Sequence, residues 1–477
     1  MYGASKDLSF NSLWYNLNGG AIESLSSNFS QWTMMSYVGR INYGLMDRYL
    51  LTASLRYDGS SRLSEGNKWA LFPSAAIAWR ITEEDFAKNL DWLSNLKLRF
   101  SYGQAGNTNS VSPYASEGTI SGSVYYPFGT STSVGNLPAN IANPMLTWER
   151  TSEYNVGLDF GFLNQRISGN IEYYNRTTND LLMKRNIPVH LGYSSVTSNV
   201  GSVRNSGFEL QLNTANIMTK NFAWNTTINL AYNKNEIVSL ADEEDLSNYS
   251  IHLQGMRGRY SDKRFIGKPV DTNWTQNTIG VWQLGEEEEA AKYGCVPGNF
   301  KIKDYNNDGK LTDDDYIIDG KRTPDWTGGM TNMFKIYDFD FSFHMYFQAG
   351  ATQYDRFFEN FALEWNSQNF NNLRTNYWTP ENPSNTMGRP SQMGSRGNIA
   401  YERTDFLKVS YITLGYTLNK RLMSKWGLDN ARIYVTVQNP FILTKFRGLD
   451  PEQPDLTNIG DTDGMTMNAL LGVNISF

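Results

Sequence analysis

The sequence predicts an all-β fold, an antiparallel up-and-down transmembrane β-barrel, and three observations carry that reading. From Met34 to Phe477, runs of about ten residues alternate strictly between apolar and polar side chains. The connections between them are in turn short or medium and long, and the last run ends on an aromatic residue. A strand of this kind turns one face to lipid and the other to water. Only a closed barrel tolerates that, because hydrocarbon offers no partner to a free sheet edge.

The runs follow one another with few exceptions. Tyr49, Leu51, Ala53, Leu55 and Tyr57 oppose Thr52, Ser54, Arg56 and Asp58. Leu96, Leu98, Phe100 and Tyr102 oppose Lys97, Arg99 and Ser101, and Tyr154, Val156, Leu158 and Phe160 oppose Glu153, Asn155 and Asp159. Ile167, Ile171 and Tyr173 oppose Arg166, Ser168, Asn170 and Glu172, while Phe222, Trp224, Ile228 and Leu230 oppose Asn225, Thr227 and Asn229. Phe339, Phe341, Phe343, Met345 and Phe347 oppose Asp340, Ser342, His344 and Gln348. Period 2 sustained this long indicates strands, and helical spacing fails throughout. About thirteen or fourteen strands are expected, the first a faint one near Leu8–Leu17.

Short connections fall near Gly44–Asp47, Phe162–Gln165, Ile217–Lys220 and Ile336–Asp338. Two medium ones, Glu83–Asn95 and Lys420–Asn430, suit a helical turn. Long ones fall near Asp58–Ala70, Gln104–Arg150, Asn175–Val203, Asn233–Thr327, Ala349–Asp405 and Asn439–Met465. Their alternation puts every long loop on one rim, the pattern of short periplasmic turns and long extracellular loops. The final strand, with Leu471, Val473, Ile475 and Phe477 on one face, then ends on the short-turn side.

Composition bounds the alternatives. No apolar run is long enough for a membrane helix, and mean hydropathy is −0.49, a test that barrels evade because half of each strand faces water. The 14% aromatic content suits interfacial girdles, with Trp14, Trp32, Trp79 and Trp224 as candidates, and equally a sugar-binding soluble β-protein. A net charge of −6 without a basic stripe argues against nucleic acid as a partner. One cysteine, Cys295, excludes a disulfide framework, and three scattered histidines (His190, His252, His344) make a histidine metal centre improbable. The start, Met1-Tyr2-Gly3-Ala4-Ser5-Lys6, shows no signal peptide. No domain boundary is visible, so residues 1–477 are expected to form one barrel portion.

The sharpest local motif runs from Asp304 to Asp315 and has the spacing of an EF-hand-like calcium loop. Oxygens would come from Asp304, Asn306 and Asp308, the Lys310 carbonyl and Asp315, with Gly309 at the sharp turn. Asp315 stands where a longer Glu is usual, which shortens the reach and leaves magnesium as a competing ion. The plainer reading is a solvated Asp/Asn/Gly turn. Glu286–Glu289 reads as the solvated start of a short helix running on through Ala290-Ala291-Lys292-Tyr293. Trp274, Trp282, Tyr125, Tyr126, Trp365 and Trp378 could stack on sugars or pack the loops together. No catalytic dyad, nucleophile elbow, phosphate loop or zinc signature is present, so an enzyme is not expected.

Several stretches resemble the SusC/RagA family of TonB-dependent outer-membrane transporters of Bacteroidetes. They are Gly39–Tyr43, Asp47–Arg62, Phe72-Pro73-Ser74, Leu96–Arg99, Ser101–Gln104, Asn155–Asp159, Tyr173–Arg176 and Asn199-Val200-Gly201. The Asp304–Asp315 loop, Tyr377–Pro383, Phe406–Val409 and Val437–Pro440 extend the likeness over essentially the whole chain. The resemblance implies the C-terminal portion of a plugged barrel of about 22 strands. It further implies a SusD-like surface lipoprotein as lid, glycan or peptide cargo, and energy from TonB–ExbB–ExbD. Neither a plug domain nor a TonB box is found in the sequence, so an N-terminal chain is expected to complete the barrel and couple to TonB. Arg56, Arg99, Glu172 and Asn229 would line the path. A secreted soluble β-protein that binds or hydrolyses glycans, and a passive porin, are the competing readings.

Overall fold

A computed structural model of the chain describes residues 2–6, 21–26, 29–188, 190, 192–193, 195–363, 375–390, 395–419, 423, 427–453 and 466–476. Thirteen strands form one antiparallel sheet, each pairing with the next in sequence. They are β1 (Met34–Leu45), β2 (Tyr49–Ser60), β3 (Trp69–Arg80), β4 (Leu93–Asn107), β5 (Glu149–Phe162), β6 (Ile167–Asn179) and β7 (Ser202–Met218). Then come β8 (Phe222–Ser239), β9 (Trp326–Ile336), β10 (Phe339–Ala349), β11 (Phe406–Thr417), β12 (Asn430–Thr444) and β13 (Asn468–Ser476). This up-and-down order is the predicted one. The strand expected at Leu8–Leu17 lies outside the described residues, as do Trp14, Trp365 and Phe477.

The short connections are tight because Asp, Asn and a few other residues accept a left-handed backbone there. Met46 and Asp47 both have φ of 54°, Asn164 58° and Tyr337 53°. Arg48 N–H closes the first turn on the Leu45 carbonyl at 3.0 Å. On the other rim most strands run past their expected ends. β4 reaches Asn107, β6 Asn179, β8 Ser239 and β12 Thr444, so the long loops are shorter than the alternation suggests. The backbone ladder continues there although the apolar period has stopped.

Register separates the two faces cleanly. One row crosses eight strands as Tyr43, Leu51, Ile77, Phe100, Val156, Tyr173, Phe208 and Tyr232. The adjacent row reads Thr52, Ala76, Ser101, Asn155, Tyr174, Gly207 and Asn233. The first row is wholly apolar or aromatic, yet Leu51, Ile77, Phe100, Val156, Ile171 and Leu414 on that face are 43–55% exposed. No second sheet covers it: besides the thirteen-stranded sheet, the described residues form one three-stranded and six two-stranded pieces. An uncovered belt of this size is unstable in water and natural in hydrocarbon.

Aromatic clusters edge the belt on both sides. Towards the long loops stand Tyr57 stacked on Trp69 (4.9 Å), Tyr102 tilted against Tyr154 (4.8 Å), and Tyr232 with Trp326 (4.8 Å). Towards the short turns stand Trp224 stacked on Phe334 (5.6 Å) and Phe339 against Tyr416 (4.7 Å). These are interfacial girdles, where an amphipathic ring prefers the boundary between tails and water. Trp79 and Trp224 take their expected places in the short-turn girdle. Trp32 lies before β1, under the Arg62 guanidinium at 4.2 Å.

The buried apolar clusters sit in the loop layer rather than on the sheet. Leu63, Phe72, Val111, Leu146 and Trp148 form one, where the loops after β2 and β4 fold over strand ends. Leu246, Leu253 and Phe265 form another, and Val281, Phe300, Ile302, Trp378 and Met387 a third.

Candidate functional site

The polar face of the sheet carries a connected set of charges. Arg99 on β4 chelates Asp159 on β5 (Nη2 to Oδ1 2.7 Å, Nε to Oδ1 3.0 Å) and also reaches Glu172 on β6 at 2.7 Å. Lys97 lies 3.3 Å from Asp159, and Asn155 donates to the second Glu172 oxygen at 3.1 Å. The guanidinium lies flat because Gly157 is beneath it: a Cβ there would come within 2.9 Å of Nη2. A second ion pair repeats the device. Arg432 on β12 crosses Gly415 on β11 to hold Asp340 on β10 with two bonds, 2.8 and 2.5 Å. Bidentate arginine pairs of this kind fix side-chain geometry as well as adding energy.

Between these pairs the wall is amide and hydroxyl. Tyr174 donates to Asn233 at 2.9 Å, Asn235 to Asn205 at 2.9 Å, and Thr413 pairs with Thr436 at 2.9 Å. Two of its shallow hollows adjoin Glu172. One of about 440 Å3 is lined by Glu153, Asn155, Glu172, Tyr174, Arg176 and Asn205. The other, about 420 Å3, lies between Asn170, Glu172, Gln211, Asn229, His344 and Tyr346. Arg56, Arg99, Glu172 and Asn229 thus all fall on the polar face, as expected, with Arg56 bound to Asp58 at 2.7 Å. Such a surface offers many exchangeable hydrogen-bond donors and acceptors, chemistry suited to hydroxyl- and amide-rich molecules. Gly157, Gly415 and Arg432 were not singled out from sequence, and Asp340 was read only as a polar-face residue, although each occupies the polar phase of its strand.

The Asp304–Asp315 loop turns as its spacing predicts, with Gly309 at φ +78°. Asp304 accepts the N–H groups of Asn307 (2.6 Å) and Gly309 (2.9 Å), Asn306 that of Asp308 (3.1 Å), and Asp308 that of Lys310 (2.8 Å). Asp315 is fully buried and accepts from Tyr305 and Thr312, both at 2.8 Å. Among the described residues no three His, Cys, Asp or Glu side chains converge as a metal cluster, so any ion here would also draw on Asn306 and the Lys310 carbonyl. Partial burial first, then Asp315, Asp308 and Asp313, push the Asp314 carboxyl above its ordinary range.

The loop aromatics divide. Trp282 and Trp378 are buried, and Trp274 stacks against Tyr316 at 5.7 Å, so these pack the loops together. Tyr125 and Tyr126 stand exposed on a hairpin formed by Thr119–Phe128 and Ser131–Asn140. The acidic run begins a helix at Glu287–Lys292, as expected.

Residues 2–439 match the family model described as TonB dependent receptor-like, beta-barrel. Over 457 residues the chain is 35% identical to the TonB-dependent receptor SusC of Bacteroides thetaiotaomicron, covering 93% of this chain and 44% of that protein. It is 33% identical over 471 residues to TonB-dependent receptor P26 of Formosa agariphila, covering 95% and 47% respectively. The RagAB peptide transporter superposes with a TM-score of 0.75 at 24% identity, over 97% of this chain and 50% of the other, which establishes the same fold. The chain therefore spans about half the length of these relatives. An exposed apolar belt, an ionic inner wall and these likenesses together mean that the chain belongs to the TonB-dependent receptor family, as a SusC/RagA-like part of its outer-membrane β-barrel.

Proposed function

We propose that the chain forms the later wall of an importer that carries glycans or peptides across the outer membrane, with TonB as the energy source. A SusD-like surface lipoprotein covers the long-loop rim as a lid, and a plug-bearing portion completes the cylinder. The observation that carries this reading is the pairing of a lipid-compatible exterior with an amide- and carboxylate-rich interior beneath a folded loop layer. The family membership supports it, as does a solved relative that is a peptide transporter. This reading is of a carrier: the wall offers binding groups on paired strands, and the relatives it matches are TonB-dependent receptors.

Affinity purification from detergent-extracted outer membranes tests the assembly. The expected result is recovery with a plug-bearing portion and a surface lipoprotein, and uptake of oligosaccharide or peptide that stops when TonB is deleted. Uptake that persists without TonB makes the protein a passive porin instead. Extraction in folded form without detergent would point to a soluble β-protein and overturn both.

The same proposal assigns Asp304, Asn306, Asp308, the Lys310 carbonyl and Asp315 to a calcium ion that stiffens the largest loop. The ladder of side-chain oxygens on backbone N–H groups, the left-handed Gly309 and the crowding of negative charge at Asp314 support it. Calorimetric titration with calcium should give binding in the wild type and at least about tenfold weaker binding in Asp308→Ala, the loss of one carboxylate ligand. Identical traces would remove the ion from the account, and magnesium in place of calcium would change its identity.

A further inference from the structure

On the membrane-facing side of the sheet, a groove of about 880 Å3 opens at the long-loop rim of β10, β11 and β12. Its floor is Phe347, Ala349, Leu407 and Leu443. Register places Phe347 opposite Leu407 and Leu407 opposite Leu443, all in the apolar phase of their strands. One step nearer the short turns, Phe441 faces Val409 and prolongs the same apolar track. Leu443 is 60% and Phe441 52% exposed.

The upper lip of this groove is charged. Arg403, Asp405 and Lys445 line it, and Arg403 and Lys445 are both exposed. Asp405 is divided between Arg403 (2.6 Å) and the backbone N–H of Gly350 (2.7 Å). Lys445 has no ion pair among the described residues. The Asp405 carbonyl accepts the Thr444 hydroxyl at 2.8 Å, which ties the two strand ends that carry the cations. Two positive side chains against one shared carboxylate leave an unbalanced positive lip directly above an apolar trough.

We propose that this groove binds a phosphorylated, acylated glycolipid of the outer leaflet, of the lipid A type. An acyl chain lies along Leu443, Leu407 and Phe347 towards Phe441, while a phosphate meets Arg403 and Lys445. The charge on the lip and the position of the trough argue for it: phosphate takes arginine forks and lysine point charges, and the floor faces the bilayer at outer-leaflet level. The inference goes beyond import, since it concerns the lipid-facing surface and leaves the inner wall untouched.

The test compares the receptor purified in mild detergent, wild type against the double variant R403Q/K445Q, by mass spectrometry of retained lipid. Wild type should carry lipid A in near-stoichiometric amount, and the variant severalfold less. In phosphatidylcholine vesicles doped with lipid A, wild type should select the phosphorylated form over the dephosphorylated one. Retention unchanged in the variant, or indifferent to phosphorylation, overturns the proposal. Release of the retained lipid by millimolar inorganic phosphate also overturns it, because the site would then hold phosphate without its acyl chain. Heat-modifiable gel mobility verifies that the double variant folds. If it does not, Lys445→Gln alone, an exposed side chain without an ion pair among the described residues, carries the same comparison, and Lys445→Arg should restore retention.

Discussion

Asp355 follows β10 in the loop layer and has no contact with solvent. One carboxylate oxygen accepts the Phe358 N–H at 2.9 Å and caps the short helix Arg356–Phe358, while the other has no hydrogen-bond partner among the described residues. Burial, and then the charge of Glu402, outweigh the Phe358 bond and Arg447, pushing the group up to about 6. The unfolded chain ionises near pH 4, so at neutral pH the folded loop carries a buried charge that the unfolded one carries at no cost. The segment should therefore gain stability as pH falls from about 7 to 4, by roughly 3 kcal/mol at most. Asp355→Asn keeps the capping oxygen and should flatten the dependence. Hydrogen exchange over residues 350–363 at pH 5 and pH 8 reads it, and equal protection in the wild type at both values would refute it. Little of this was legible in advance. Asp355 looks like any loop aspartate, because the charges that act on it, Glu402 and Arg447, are nearly fifty and more than ninety residues away. By contrast, the Asp304–Asp315 turn was legible because its hydrogen bonds are local.

At the level of strands and loops, the apolar phase was readable because a period of two leaves no freedom once one face must be greasy. What it missed are the extensions beyond the belt, such as Gly106–Asn107 and Thr178–Asn179. There both faces are polar or covered, and the backbone ladder alone keeps the strand going. Gly106 marks where a loop descends onto such an extension: a Cβ there would lie 2.2 Å from the Phe72 ring and 2.7 Å from Trp148. Both rings are buried and packed edge to face at 5.4 Å, so neither yields easily. Gly106→Ala should destabilise this part of the loop layer by about 1–3 kcal/mol, seen as a lower urea midpoint for Trp148 fluorescence. Within the belt, Leu414→Arg in β11 places a charge among lipid tails. It should lower stability by about 2–4 kcal/mol in refolding titrations into bilayers, and a neutral result would mean that this face does not meet hydrocarbon.

For the molecule as a whole, the two outermost strands decide how it assembles. β1 and β13 each pair on one side only among the described residues, and nearly all their side chains are exposed. Free edges in lipid leave a row of N–H and C=O groups without partners, at several kcal/mol for each. The sheet should therefore show heat-modifiable mobility only when its edges are closed by further strands. Hydrogen exchange offers the measurement: the outward-pointing amides of Met34–Leu45 and Asn468–Ser476, those not bonded to β2 or β12, should be protected in the assembled receptor and exchange freely in the isolated chain. The alternation required closure but left open which strands supply it, since periodicity describes each strand and is silent about its last neighbour. Finally, the clusters around Leu146, Phe265 and Phe300 all lie above the sheet, so cap and wall answer to different solvents. Water squeezes the cap together, while fatty tails hold the wall. Urea should loosen the first with the second intact, whereas stripping away the amphiphile should do the reverse, so the receptor would melt in two separate waves.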